Sequence, residues 1–249
     1  TASATASQSI MEDGKTDQIA SDDDAAITLT DGSITYVFGD ASHLSTAEKV
    51  ADTTSGGAVD AEARVDGFNG FSVGLPVGPG ALTVALDMNS GTATTLMGDQ
   101  TVAVGCGGQM QGFGFNFAGN VGADLSLTFA SGSTTASKAT CTGDNASNSA
   151  SGSTMGLGVA VPLGALTIGA DVESSGTTTT FQSAETKVSQ SGTEVSVSMS
   201  GIADGTVVAA VSSQTKTTTA GSTETKVETS GLEVGWKTSI GPTTFEIAY

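Results

Sequence analysis

Alternation with a period of two, repeated in paired arms around tight turns, restricts this chain more than any other feature. The clearest unit runs Met155, Leu157, Val159, Val161, Leu163, turns at Gly164 and returns as Leu166, Ile168, Ala170, Val172. Gly156, Gly158, Ala160, Thr167, Gly169, Asp171 and Glu173 stand between them, so one face of each arm is apolar and the other small or acidic. A second unit places Phe113, Phe115 and Phe117 before a turn and Leu125, Leu127 and Phe129 after it. Further pairs are Val73/Leu75/Val77 with Leu82/Val84/Leu86/Met88, Val195/Val197/Met199 with Val207/Ala209/Val211, and Leu232/Val234/Trp236 with Phe245/Ile247/Tyr249. Each arm is about ten residues, the length of a tilted strand crossing a bilayer.

The connections alternate in length. Short turns fall near 31–33, 78–80, 119–121, 164, 203–205 and 241–242, and long polar stretches at roughly 8–24, 39–62, 91–108, 131–152, 175–190 and 214–226. Only 14% of residues are charged and 5% aromatic, with 34 glycines, so the apolar residues form stripes rather than a dense core. A soluble β-sandwich would carry mixed charge on its polar face and keep its loops short at both ends. No apolar run reaches the length of a membrane helix, so a span must be built from strands. The expected fold is all-β, a transmembrane antiparallel β-barrel forming a single domain over 1–249, with the long loops extracellular. About thirteen strands are counted, whereas bacterial barrels are normally even-numbered. The chain therefore reads as a partial sequence, lacking roughly two strands at the start and one at the end; a complete barrel of about 12 or 14 strands is the alternative.

If the apolar residues face lipid, the intervening positions line a lumen: Arg64, Asp66, Asp87, Asp124, Asp171, Glu173, Glu194, Glu233, Lys237 and Glu246. That lining is acidic, in keeping with a net charge of −18, and rings of carboxylates favour cations in a water-filled pore. Trp236 and Tyr249 are candidate interfacial anchors, Trp236 on the short-turn side.

Cys106 and Cys141 are the only cysteines and flank the Phe113–Phe129 hairpin on the same side. A disulfide between them is expected, two free thiols being the alternative. The clustered carboxylates Asp22, Asp23 and Asp24, or Asp40, Asp52 and Asp60, are candidates for calcium. Neither set has the spacing of a twelve-residue calcium loop, and a solvated acidic loop is the competing reading. No cofactor is required by any motif.

The layout resembles the general diffusion porins of alphaproteobacteria, which are trimeric barrels of about 16 strands. The resemblance is carried by Ala26 to Ala41, AITLTDGSITYVFGDA, similar to that family's strand, turn and strand ending in a Gly-Asp-Ala step. Gly231 to Tyr249 is similar to its penultimate hairpin. It implies that 39–62 folds inward as a constriction loop, contributing Asp40, Glu48, Asp52, Asp60 and Glu62 against Lys49 and His43. It also implies a homotrimer in the outer membrane, in contact with lipid and lipopolysaccharide and passing small hydrophilic solutes and ions. It raises the expectation of calcium. Members of the family set loop carboxylates opposite a cluster of arginines; Arg64 is the only arginine here, which departs from that pattern.

An enzyme is not expected: there is one histidine, His43, with no Ser-His-Asp order, no metal-binding Cys/His spacing and no phosphate loop. The negative charge opposes nucleic-acid binding. The alternative from another class is a secreted or surface structural protein, such as an adhesin, surface-layer or filament subunit of stacked strands. It should show a fixed repeat length, whereas these hairpins recur at unequal intervals.

Overall fold

The computed structural model describes residues 2–7, 26–40, 49, 69–87, 93–95, 101–103, 108–136, 148–181, 183–240 and 243–248. Among them are fifteen strands and no helix: β1 (Ala2–Ser7), β2 (Ala26–Asp31), β3 (Ile34–Asp40), β4 (Asn69–Val77), β5 (Gly80–Asp87), β6 (Ala93–Thr95), β7 (Thr101–Ala103), β8 (Gly108–Asn120), β9 (Asp124–Ala136), β10 (Ser149–Leu163), β11 (Leu166–Phe181), β12 (Ala184–Ile202), β13 (Gly205–Ala220), β14 (Thr223–Ile240) and β15 (Thr243–Ala248). Thirteen of them form one antiparallel meander, each paired with its neighbours in chain order, except that β5 pairs directly with β8. The ribbon β6–β7 is a separate two-stranded sheet in the connection between β5 and β8. No pairing joins β1 to β15 among the described residues, so the sheet is not closed there.

The alternation read from the sequence becomes two faces of opposite character, with the burial inverted relative to a water-soluble sheet. Leu157, Val172, Val197, Val211 and Leu232 are exposed, Leu232 to 63%. Ser126, Thr128, Thr154, Asp171, Glu173, Glu194 and Ser196 on the opposite face are buried. The buried apolar side chains among the described residues are small: Ala85, Ala130, Ala150, Val208 and Ala210.

The exposed apolar band runs obliquely to the strands. Its edge away from the short turns passes through Phe113, Phe129, Met155, Val172, Val195, Val211 and Leu232 on β8 to β14. In the pairing register this edge steps by two residues at β8–β9, β10–β11 and β11–β12 and by none at the other three junctions. Six residues over six junctions is one per strand, which at the usual rise and strand spacing corresponds to a tilt of roughly 35°. Aromatic rings gather along the same edge: Phe38 packs on Phe71 with centroids 5.0 Å apart, and Phe115 on Phe129 at 5.7 Å.

Two connections differ from the sequence expectation. Within the stretches 175–190 and 214–226, read as long loops, β11 runs on to Phe181 and pairs it with Ala184 of β12, and β13 runs to Ala220 and pairs it with Thr223 of β14. The same holds in part for 131–152, which β9 enters as far as Ala136 and β10 leaves from Ser149. Threonine explains the difference. Thr177 to Thr180 and Thr217 to Thr219 are polar enough to read as loop, yet their branched Cβ favours extended backbone. The β11–β12 hairpin therefore extends nine residues past Val172, about 30 Å. At its neighbour's tip, the hydrogen bond and charge of Lys226 hold the Glu228 carboxyl below its ordinary range, and Glu228 raises Lys226 in turn.

At the opposite end, the β12–β13 turn places two consecutive non-glycine residues in the left-handed region, Ala203 at φ 49° and Asp204 at φ 58°. Strand β14 clamps it. Trp236 Nε1 donates to the Ile202 carbonyl at 3.1 Å and Thr238 Oγ1 to the Asp204 carbonyl at 2.8 Å. Gly205 leaves room for the indole, since a Cβ there would meet Trp236 Nε1 at 2.5 Å. Replacing Ala203 by Gly removes the left-handed cost of a side chain and is expected to stabilise the protein by roughly 1 kcal/mol. Chemical unfolding of A203G beside the parent checks this; an unchanged or lower midpoint contradicts it.

Candidate functional site

The buried polar face concentrates its charge on β11 and β12. Asp171 and Glu194 are direct cross-strand partners, 2% and 6% exposed. Glu173, also 2% exposed, lies one step further along β11 opposite Gly192. The missing side chain at Gly192 lets Glu173 lie across β12, since a Cβ there would meet Glu173 Oε1 at 2.9 Å. Glu173 Oε1 then accepts long hydrogen bonds of 3.4 Å from Gln190 Nε2 on β12 and from Gln214 Nε2 on β13. Three strands thus hold one carboxylate in place. Asn116 Nδ2 donates to Thr128 Oγ1 at 2.6 Å on the same face, extending the polar surface to β8 and β9.

One contact reaches this face from far away in the chain. The Lys49 backbone N–H donates to Asp171 Oδ2 at 2.9 Å, across a separation of 122 residues. A Cβ at Gly169 would collide with the Lys49 carbonyl, so glycine at this position is what allows backbone to lie against backbone. The β11 pattern Gly169-x-Asp171 therefore makes a seat: an empty space followed by an acceptor.

Of the residues singled out in the sequence, the structure brings Asp171 and Glu194 together, with Glu173 beside them. Glu233 shares a cross-strand row with Ala210 and Ser196, one pleat nearer the short turns. Asp124 belongs to the same face by register but sits at the β8–β9 turn, exposed, accepting a 2.6 Å hydrogen bond from Asn120 Nδ2. Asp40 and Asp87 end β3 and β5, and only their strand positions are described. Glu48, Asp52, Asp60, Glu62, Arg64 and Asp66 lie outside the described residues, as do Cys106 and Cys141 with their expected bridge and the calcium candidates Asp22, Asp23, Asp24, Asp52 and Asp60. Among the described residues no set of three or more His, Cys, Asp or Glu is grouped to hold a metal ion.

Sequence reasoning passed over Gln190, Gln214 and Gly192. The signal was present, since Gln190, Gly192, Glu194 and Ser196 continue the period of two, but the polar surroundings of Gln190 and Gln214 assigned them to loops. No protein-family model, curated protein or solved structure matches the chain.

If Gly169 seats the Lys49 segment, a bulky residue there should unseat it. The variant Gly169→Val is expected to be cut by trypsin after Lys49 faster than the parent. Equal cleavage rates would mean that the seat does not hold the segment.

Proposed function

We propose that this chain forms a transmembrane β-barrel of the bacterial outer membrane, with a water-filled, cation-preferring passage for small hydrophilic solutes and ions. The observation that carries the reading is the inverted burial. An apolar band exposed around a sheet whose carboxylates and hydroxyls are buried has no stable place in water, where so large an exposed apolar surface drives association. In a bilayer the same arrangement meets lipid on one face and encloses water on the other.

Three further observations support it. The oblique course of the band corresponds to the strand tilt that closes barrels. Its edge carries Tyr36, Phe38, Phe71, Phe113, Phe115 and Phe129, as an aromatic girdle would, with Trp236 toward the other border. Lys49 lies within 39–62, the segment that the porin resemblance makes a constriction loop, and its backbone rests on the polar face. In this reading the full barrel has about 16 strands, assembles as a homotrimer and keeps its tall hairpins outside the cell.

The charge preference follows from Asp171, Glu173, Glu194 and Glu233, against Lys216 and Lys237 on the same face. Two ionised carboxylates directly across a strand pair repel by about 3 kcal/mol at 5–6 Å in an effective dielectric near 20. A passing cation relieves that repulsion and an anion adds to it.

The native protein in a planar bilayer under a KCl gradient should give stepwise conductance with a reversal potential on the cation side. The double variant Asp171→Asn/Glu194→Gln should move the reversal potential toward zero while conductance persists. Solubility without detergent and no conductance would sink the channel reading and favour the secreted structural protein.

A further inference from the structure

We propose that the β6–β7 ribbon is a second inward-folded element, narrowing the lumen at a different level from Lys49 and lowering the size limit for solutes; this rests on the channel reading above. Strand β5 pairs directly with β8, so a simple connection between them would stay over that junction. Strand β7 instead lies against β9, β10 and β11. Since β11 is three strands beyond β8, the ribbon leans about 14 Å across one face of the sheet.

Burial identifies the face. On β10 and β11, toward the long connections, Ala150, Thr154, Ser175 and Thr177 are buried on the polar side, and Asn148 just before β10 is buried too. Their neighbours Ser151, Ser153 and Ser174 point the other way and are exposed. The outward side at this level is open: a hollow of about 600 Å³ is lined mostly by outward residues, among them Ser131, Ser151, Ser153, Thr178 and Ser189, with Thr177 at its floor. The polar side is thus covered and the outward side is not. Lys49 is not the cover, because it sits at Gly169 and Asp171, four residues or about 13 Å down β11 from Ser175. The ribbon, placed against these same strands, is. Thr154 and Ser175 are 1% and 7% exposed, direct cross-strand neighbours, and their hydroxyl oxygens have no hydrogen-bond partner among the described residues. Both hydroxyls are sealed from solvent, as an element folded onto the polar side leaves the wall beneath it.

The placement and its effect on passage are tested separately. In a Cys106→Ser/Cys141→Ser background, Thr101, Val102 and Ala103 are each replaced by Cys and combined with either Thr154→Cys or Ser153→Cys. Oxidation should bridge at least one of the three to Thr154→Cys and none to Ser153→Cys; bridging to Ser153→Cys alone, or to neither, overturns the placement. A variant with Ala93 to Ala103 replaced by a short Gly-Ser link should raise single-channel conductance about twofold or more. It should also admit larger neutral sugars in liposome swelling. Unchanged conductance and size limit overturn the narrowing. If the parent itself does not conduct, the channel reading fails, while the disulfide result still decides where the ribbon lies.

Discussion

Register governs everything in this molecule. Because side chains alternate strictly along a strand, a slip of one residue between any two neighbours exchanges the apolar and polar faces of all that follows. From β9 to β12 the ladder keeps Leu127, Leu157, Val172 and Thr193 in one row and Ser126, Gly158, Asp171 and Glu194 in the next. The inverted burial, the oblique band and the acidic cluster are all consequences of that one alignment. Even the bulge at Ser200/Ile202 comes after the last apolar row, next to the turn, where it disturbs no pairing above it.

The faces do not contribute equally. The apolar face supplies bulk through residues that touch no core, and the polar face supplies specificity through small residues that make room. Gly169 admits the Lys49 backbone and Gly192 admits the Glu173 side chain. Both acidic groups are fixed by what is missing beside them, a device that depends on neighbouring strands being held in line.

How much of this was legible in the sequence depends on contrast. Where apolar and polar residues alternate, as from Met155 to Glu173, the strands, their two faces, the Gly164 turn and the place of Asp171 on the polar face follow directly from period two. Where both faces are hydroxylated, as from Ser174 to Thr180, the alternation carries no contrast and the strand reads as loop, although Thr favours extended backbone. The seating of Lys49 on Gly169 and Asp171 joins positions 122 residues apart and leaves no local trace. The same is true of β6 and β7, three residues each, too short for a period to register.

The tall hairpins have a consequence for how such a chain can vary in length. Near the β11–β12 and β13–β14 tips, where Phe181 pairs with Ala184 and Ala220 with Thr223, runs of threonine on β11 and β13 lie opposite mixed Thr, Lys, Glu and Val on β12 and β14. Adding or deleting one residue in each arm lengthens or shortens the tip by a single rung and leaves the rows below untouched. An unmatched residue in one arm has to be absorbed as a bulge, or it turns the faces over down to the apolar band. Length changes at these tips should therefore come in matched pairs, a parity rule imposed by rows lying about 30 Å away.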